Sequence, residues 1–326
     1  LGVNKWAAFS VQLQYVKLSL HILPAKLTCN SYCLDTFIKS LKFSSEFHIT
    51  LSIFYYFVMY RIRNELLEKI RNYESLTESV EEPRILLIGQ IGDGKSSFFN
   101  SVNSVFRGHV MLQARSGFGV TSISKKYRTY PVHDGKGGRK LPFILCDTMG
   151  LERNIKDEGI HVEDIISIIK GHVPDMYEVR LACHFTDVSP GLADKVHCVV
   201  FVVEANKISL LNQNLLNKFE SIRTEVSNMG IPVLGLVTKI DGACLEVTND
   251  LTKVYRSRYI YQKMLRVSLS SISPVKNYSA ETELNLHVDI LILTALQQML
   301  RAADFSKYFT HLLPYFVFFP ISPCLT

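Results

Sequence analysis

The 326-residue sequence has no uninterrupted apolar run of the ~20 residues that a membrane-spanning helix needs. The nearest approach, residues 47–60, is shorter and carries His48, with Arg61 and Arg63 just behind it. It reads as a buried strand or helix, with a membrane anchor as the alternative. A secretory leader is not expected, because Gln12, Gln14 and Lys17 interrupt any apolar core near the N-terminus. Cysteines at metal-ligand spacing are also wanting. The seven (29, 33, 146, 183, 198, 244 and 324) are odd in number and scattered. Cys29 and Cys33 lack the second pair that would complete a zinc site. Cys146 and Cys198 lie in apolar runs, where a thiol behaves as a small hydrophobe. Reduced thiols in a cytoplasmic protein are the expectation. Charge is weak too: a net +6 does not by itself argue for nucleic acid, and 47% hydrophobic with 20% charged residues is ordinary for a chain that buries a core.

What is present is organised around residues 84–100. The apolar run Ile85 to Ile88 predicts a buried strand, and residues 97–106 are compatible with a helix. Between them stands G-x-x-x-x-G-K-S, from Gly89 to Ser96. Strand before and helix after is the context that gives this motif its meaning. Glycines at 89, 92 and 94 let the backbone turn tightly, so that N–H groups around Asp93 and Ser97 can face phosphate oxygens. The helix N-terminus adds partial positive charge. Lys95 would reach the β- and γ-phosphates, and the Ser96 hydroxyl would hold Mg²⁺.

Downstream the chain alternates. Strands are predicted at 84–89, 125–130, 141–146, 197–203, 232–237 and 267–273, and helices at 95–106, 160–170, 208–228, about 248–265, and 284–302. The alternation predicts an α/β fold of the P-loop NTPase, G-like type: a doubly wound, mostly parallel sheet with helices on both faces and the site at the carboxyl ends of the strands. Residues 131–140 read as a β-hairpin whose basic tip lacks the interleaved aromatics of a nucleic-acid surface. Residues 171–195 form a long insertion, a candidate lid. Ahead of the domain, 62–73 read as a short amphipathic helix and 74–82 as a polar linker ending at Pro83. The domain would occupy 84–304, leaving 1–61 and an apolar tail, 305–326, unassigned. Pro314, Pro320 and Pro323 disfavour a continuous helix in that tail.

Two further motifs refine the ligand. The apolar run 141–146 ends in Asp147-Thr148-Met149-Gly150. A carboxylate there can hold the Mg²⁺ that bridges the phosphates, and Gly150 lets a backbone N–H approach the γ-phosphate. Thr238-Lys239-Ile240-Asp241 ends the next apolar run but one. An aspartate in that place accepts from both N1–H and N2–H₂ of guanine, a donor pair that adenine lacks. Lys239 would lie along the base plane. The usual motif begins with asparagine, and Thr238 loses an amide that braces the loop. Thr121 is the candidate for a switch threonine that completes Mg²⁺ coordination, with Ser122 and Ser124 as alternatives. The base-edge loop falls near Val275-Lys276-Asn277. Where many GTPases carry a water-orienting glutamine after Asp-x-x-Gly, this chain has Leu151, so slow intrinsic hydrolysis is expected.

With these motifs in place, the chain resembles the interferon-induced protein 44 and 44-like family. The likeness is carried by Gly94 to Val110, by 126–130 and 141–151, and by 237–241, 276–280 and 289–304. It implies a cytoplasmic, interferon-inducible protein of the antiviral response, with a guanine-nucleotide-binding domain. It also implies an N-terminal TLDc domain, to which residues 1–61 do not match. The expected ligands are GTP or GDP with Mg²⁺. The expected partners are proteins, self-association included, with no specific nucleic acid and no membrane. The alternative is an immune-response scaffold with a vestigial nucleotide site.

Overall fold

The computed structural model describes residues 45–76, 79–111, 126–135, 137–148, 150–151, 160–176, 189–257 and 271–316; in its helices the side chains of 45–51, 53, 209 and 307–316 are left out of account. The chain divides into two units, Leu1–Glu65 and Leu66–Thr326. Of the first, the described part is helical and belongs to α1 (Ser45–Arg71). The run 47–60, expected as a buried element, is helix, but Phe54, Tyr56, Phe57 and Tyr60 are exposed. From Phe54 to Tyr60 the apolar and aromatic side chains follow one another without a gap, so they point all round the helix and no single face can bury them. Tyr56 and Tyr60, one turn apart, stack on each other.

The second unit holds a six-stranded sheet. Its strands are β1 (Arg84–Ile88), β2 (Arg128–His133), β3 (Lys140–Asp147), β4 (Val196–Glu204), β5 (Val233–Thr238) and β6 (Ile272–Pro274). Their order is β2-β3-β1-β4-β5-β6, parallel throughout except that β2 runs antiparallel to β3. Central β1 and β4 are nearly continuous apolar runs and are buried almost end to end, as a parallel sheet covered on both faces requires. Leu86, Ile88, Val199 and Phe201 pack against α3 (Val162–Ile169) and α4 (Gln213–Asn228). Helix α2 (Lys95–Arg107) lies on β2 and β3, and α5 (Leu286–Phe316) lies on β1, β4, β6 and α2. Asn212 caps α4 by accepting from the Leu215 N–H at 2.9 Å.

Register fixes where the functional edge falls. Leu87 pairs with Asp147 and Val200, Glu204 with Thr238, and Val237 with Pro274. The carboxyl ends of β1, β3, β4, β5 and β6 therefore share one edge. Chain direction away from the sheet centre reverses beside β1, a crevice where α/β folds place ligands.

Several elements depart from the pattern read in the sequence. The β2–β3 hairpin forms, but β2 starts three residues late and takes in Pro131, tolerable because β2 is an edge strand. Residues 245–256 make one short helix and a 3₁₀ turn in place of one long helix, and 258–270, with most of the predicted last strand, lie outside the described residues. The same holds for 177–188, the middle of the candidate lid. The final helix overruns its predicted end at 302 and continues to Phe316. Pro314 falls in its last turn, where a missing N–H removes a single hydrogen bond. Among the described residues no helix is long and apolar enough to cross a membrane.

Candidate functional site

The loop from Gly89 to Gly94 joins β1 to α2 at the centre of that edge. Gly92 and Gly94 adopt φ of +81° and +92°, the left-handed region that side chains avoid. A Cβ on Gly89 would collide with the Val202 carbonyl oxygen of neighbouring β4, so the loop leaves the sheet in close contact with it. Asp93 closes the loop on itself: its Oδ2 accepts from the Gln90 N–H at 2.9 Å. Lys95, the first residue of α2, folds back and donates to the Gly89 and Gln90 carbonyls, each at 3.0 Å. Ser97, half-buried in the same first turn, accepts through its carbonyl from the Ser101 hydroxyl at 2.7 Å.

Asp147, at the end of β3, is brought to this loop. Its Oδ2 accepts from the Ser96 hydroxyl at 3.1 Å. Burial pushes its carboxyl above the ordinary value, and the Lys95 charge opposes that rise. Gly150 lies against the loop, where a Cβ would stand 2.8 Å from the Ile91 nitrogen, and the Leu151 N–H donates to the Gly89 carbonyl at 3.1 Å. Thr121 lies outside the described residues.

Thr238, which ends β5, and Lys239, which follows it, come to the other flank. The fully buried Thr238 hydroxyl donates to the Asp93 carbonyl at 2.6 Å. Thr238 has no side-chain amide to brace the loop, but its hydroxyl reaches the loop in its own way. Lys239, in a left-handed conformation at φ +53°, pairs with Glu204 at 2.8 Å. Asp241 faces Lys276 Nζ at 3.3 Å, and Lys276 also meets Glu281 at 3.1 Å. The candidates from the β5 and β6 loops are therefore adjacent in space.

Three residues at the site were not read from the sequence as parts of it in these roles. Glu204 ends β4 and holds both Lys239 and Lys207, the latter at 2.9 Å. It carries the signal already used for Asp147, an acid closing an apolar run. Lys207, on the 3₁₀ turn Ala205–Leu210, approaches Asp93 Oδ1 at 3.5 Å and has no motif to mark it. Asn277 donates through Nδ2 to the Gly94 carbonyl at 3.1 Å. Burial would lift the Glu204 carboxyl, but the two lysines outweigh it and hold it below the ordinary value.

Four buried polar atoms around the loop have no hydrogen-bond partner: Gln90 Oε1, Asp147 Oδ1, Thr148 Oγ1 and Asn277 Oδ1. Such atoms are costly unless something pairs with them. Ser96 and Asp147 present a hydroxyl and a carboxylate, oxygen donors of the kind a hard divalent cation takes, and Asp147 Oδ1 is an acceptor still to be used. These residues fit Mg²⁺. Among the described residues no group of three or more His, Cys, Asp or Glu side chains converges as a metal site. A helix N-terminus, two lysines and backbone N–H groups in left-handed turns together suit an anion.

No protein-family model matches the chain. It is 45% identical over 256 residues to interferon-induced protein 44-like of Homo sapiens, a match covering 74% of this chain and 56% of that protein. It is 44% identical over 255 residues to interferon-induced protein 44 of Homo sapiens, covering 74% and 57%, and 37% identical over 255 residues to that of Mus musculus, covering 74% and 60%. The chain thus spans a little over half the length of these curated relatives. Among solved structures it is similar to a nucleolar GTP-binding protein 1 from Plasmodium falciparum at 14% identity, covering 74% of this chain and 95% of that one, with a TM-score of 0.35, too slight a likeness to build on.

Proposed function

Over the segment that matches these relatives the chain belongs to the interferon-induced protein 44 and 44-like family, and from that premise we propose that residues 84–304 bind a guanine nucleotide and act as a switch read by protein partners in an interferon-induced immune response. The observation that carries this reading is the convergence on one sheet edge of the Gly89–Ser96 loop, Asp147 and the Thr238–Asp241 turn, each from a different strand end.

Each group then has a task. The loop N–H groups and Lys95 hold the phosphates, and Lys95 exchanges its bonds to the Gly89 and Gln90 carbonyls for phosphate oxygens. Ser96 and Asp147 would hold Mg²⁺, which neutralises phosphate charge when bound. Asp241 accepts from the guanine N1–H and N2–H₂ edge, with Lys276 beside it at 3.3 Å to hold the carboxylate in place. Gly150, pressed against Ile91, carries a change at the terminal phosphate into the segment that follows. Leu151 is fully buried and its side chain has no polar atom to orient water, which favours binding over rapid turnover.

The test uses the full chain with fluorescent GDP, GTP and ATP in Mg²⁺, beside Lys95→Ala and Asp241→Ala. Guanine-selective binding that Lys95→Ala abolishes and Asp241→Ala makes indifferent to the base is the expected result. A folded wild-type protein that binds no nucleotide would leave a scaffold that kept the fold.

A further inference from the structure

Buried side chains tie the phosphate loop to both loops that would face the base. Thr238, at the end of β5, donates to the Asp93 carbonyl at 2.6 Å, and Asn277, after β6, donates to the next carbonyl, Gly94, at 3.1 Å. Thr238 is fully buried and Asn277 is 8% exposed. Only the amide nitrogen of Asn277 can donate to a carbonyl, so this bond fixes its orientation and leaves Oδ1 as the buried, unpartnered atom. Gly94 permits the contact, since a Cβ there would stand 3.0 Å from Asn277 Nδ2 and 3.4 Å from Thr238 Cβ. On either side of Asn277 the same loop is held again. The Tyr278 N–H donates to Ser101 Oγ of α2 at 2.9 Å, and Lys276 reaches Asp241 at 3.3 Å.

We propose that Asn277 supplies from the β6 loop the bracing amide that residue 238 lacks, and that it is a positioning residue for base selectivity. The proposal rests on the nucleotide-binding reading above. Contact runs from the Gly94 carbonyl to Asn277, then along the backbone to Lys276, and from Lys276 to Asp241. Asn277 thereby sets how far the base-reading carboxylate stands from the loop that holds the phosphates. A brace serving the fold alone would affect every nucleotide alike, because all share the phosphates. A brace that places Asp241 affects the difference between guanine and adenine.

The experiment titrates the full chain, Asn277→Ala and the nearly isosteric Asn277→Asp with fluorescent GDP and ADP in Mg²⁺, with thermal melting to confirm that each is folded. Asn277→Asp keeps the shape and turns a carboxylate toward the Gly94 carbonyl. The preference for GDP over ADP should fall about tenfold in either variant, the size of one lost hydrogen bond, while ADP affinity hardly moves. A folded variant with undiminished preference, or with equal losses for both nucleotides, overturns the role of Asn277 and leaves the nucleotide reading standing. Wild-type protein that binds neither nucleotide overturns both.

Discussion

Lys207 Nζ lies 3.5 Å from Asp93 Oδ1, so the carboxylate carried within the Gly89–Gly94 loop is faced by a cation from the 3₁₀ turn that follows β4. Asp93 is 1% exposed, and burial pushes its carboxyl up while Lys95 and Lys207 oppose that. An unopposed negative charge there would repel phosphate. Lys207→Ala should therefore weaken binding of fluorescent GDP about tenfold, within the range of a partly buried charge-assisted hydrogen bond, and Lys207→Arg should retain most of it. Equal affinities for wild type and Lys207→Ala, measured at low salt, would remove Lys207 from the site.

Turnover should be slow. Leu151 is buried and apolar where a water-orienting side chain would stand. Single-turnover assays with GTP should give a rate on the order of 10⁻⁴ s⁻¹ or less, the scale of an unassisted GTPase. A specific activity that climbs with protein concentration would instead mean that a second copy supplies the missing polar group.

Two glycines are set by contact with neighbours. A Cβ on Gly89 meets the Val202 carbonyl, and one on Gly150 meets the Ile91 nitrogen at 2.8 Å. In both cases the obstacle is backbone and cannot swing aside. Gly89→Ala and Gly150→Ala should each cost about 1–3 kcal/mol in urea unfolding. Alanine accepted at either position without loss would show that the loop sits farther from its neighbours.

Tyr73 donates its hydroxyl to Asp304 Oδ1 at 2.6 Å, joining the segment after α1 to α5 across the second unit. Burial and the adjacent carboxylate both push the phenol's pKa upward, as a donor to a carboxylate should behave. Tyr73→Phe removes only that donor and should cost about 1.5–3 kcal/mol, the range for a bond to a charged acceptor. Unchanged denaturation midpoints would count against this link.

Glu281 gives a pH dependence. Burial works to raise its pKa, but the N–H groups of Ser279 and Glu281 and the Lys276 charge outweigh it and hold the carboxyl at about 2, down from an ordinary 4.5. A depressed folded-state value means stabilisation that is complete above 4.5 and is lost as the pH falls from there toward 2. Glu281→Gln should be less stable than wild type near neutrality, and the two melting temperatures should converge on acidification. A gap that stays constant down to about pH 3 would show that Glu281 is not held this way.

Local pattern was enough for the central strands and for the glycine turns. Ile85 to Ile88 and Val199 to Val203 are apolar without a break because parallel strands are buried on both faces, and that burial is written residue by residue. Glycines at 92 and 94 announce left-handed turns for the same local reason. Helix ends were less legible. Pro314 looked like a stop, yet near the end of α5 it removes only one backbone bond. The sequence by itself determined which residue types stand at the strand ends, the glycines and Lys95 after β1, Asp147 at β3 and Thr238 at β5, because those positions follow from an apolar run and what closes it. Tertiary structure alone decided that Thr238 still braces the loop, that Lys207 faces Asp93, and that Asn277 reaches Gly94 from 183 residues away in the chain. Those contacts join separate strands, and only the order and register of the sheet bring their carboxyl ends within a hydrogen bond of one another.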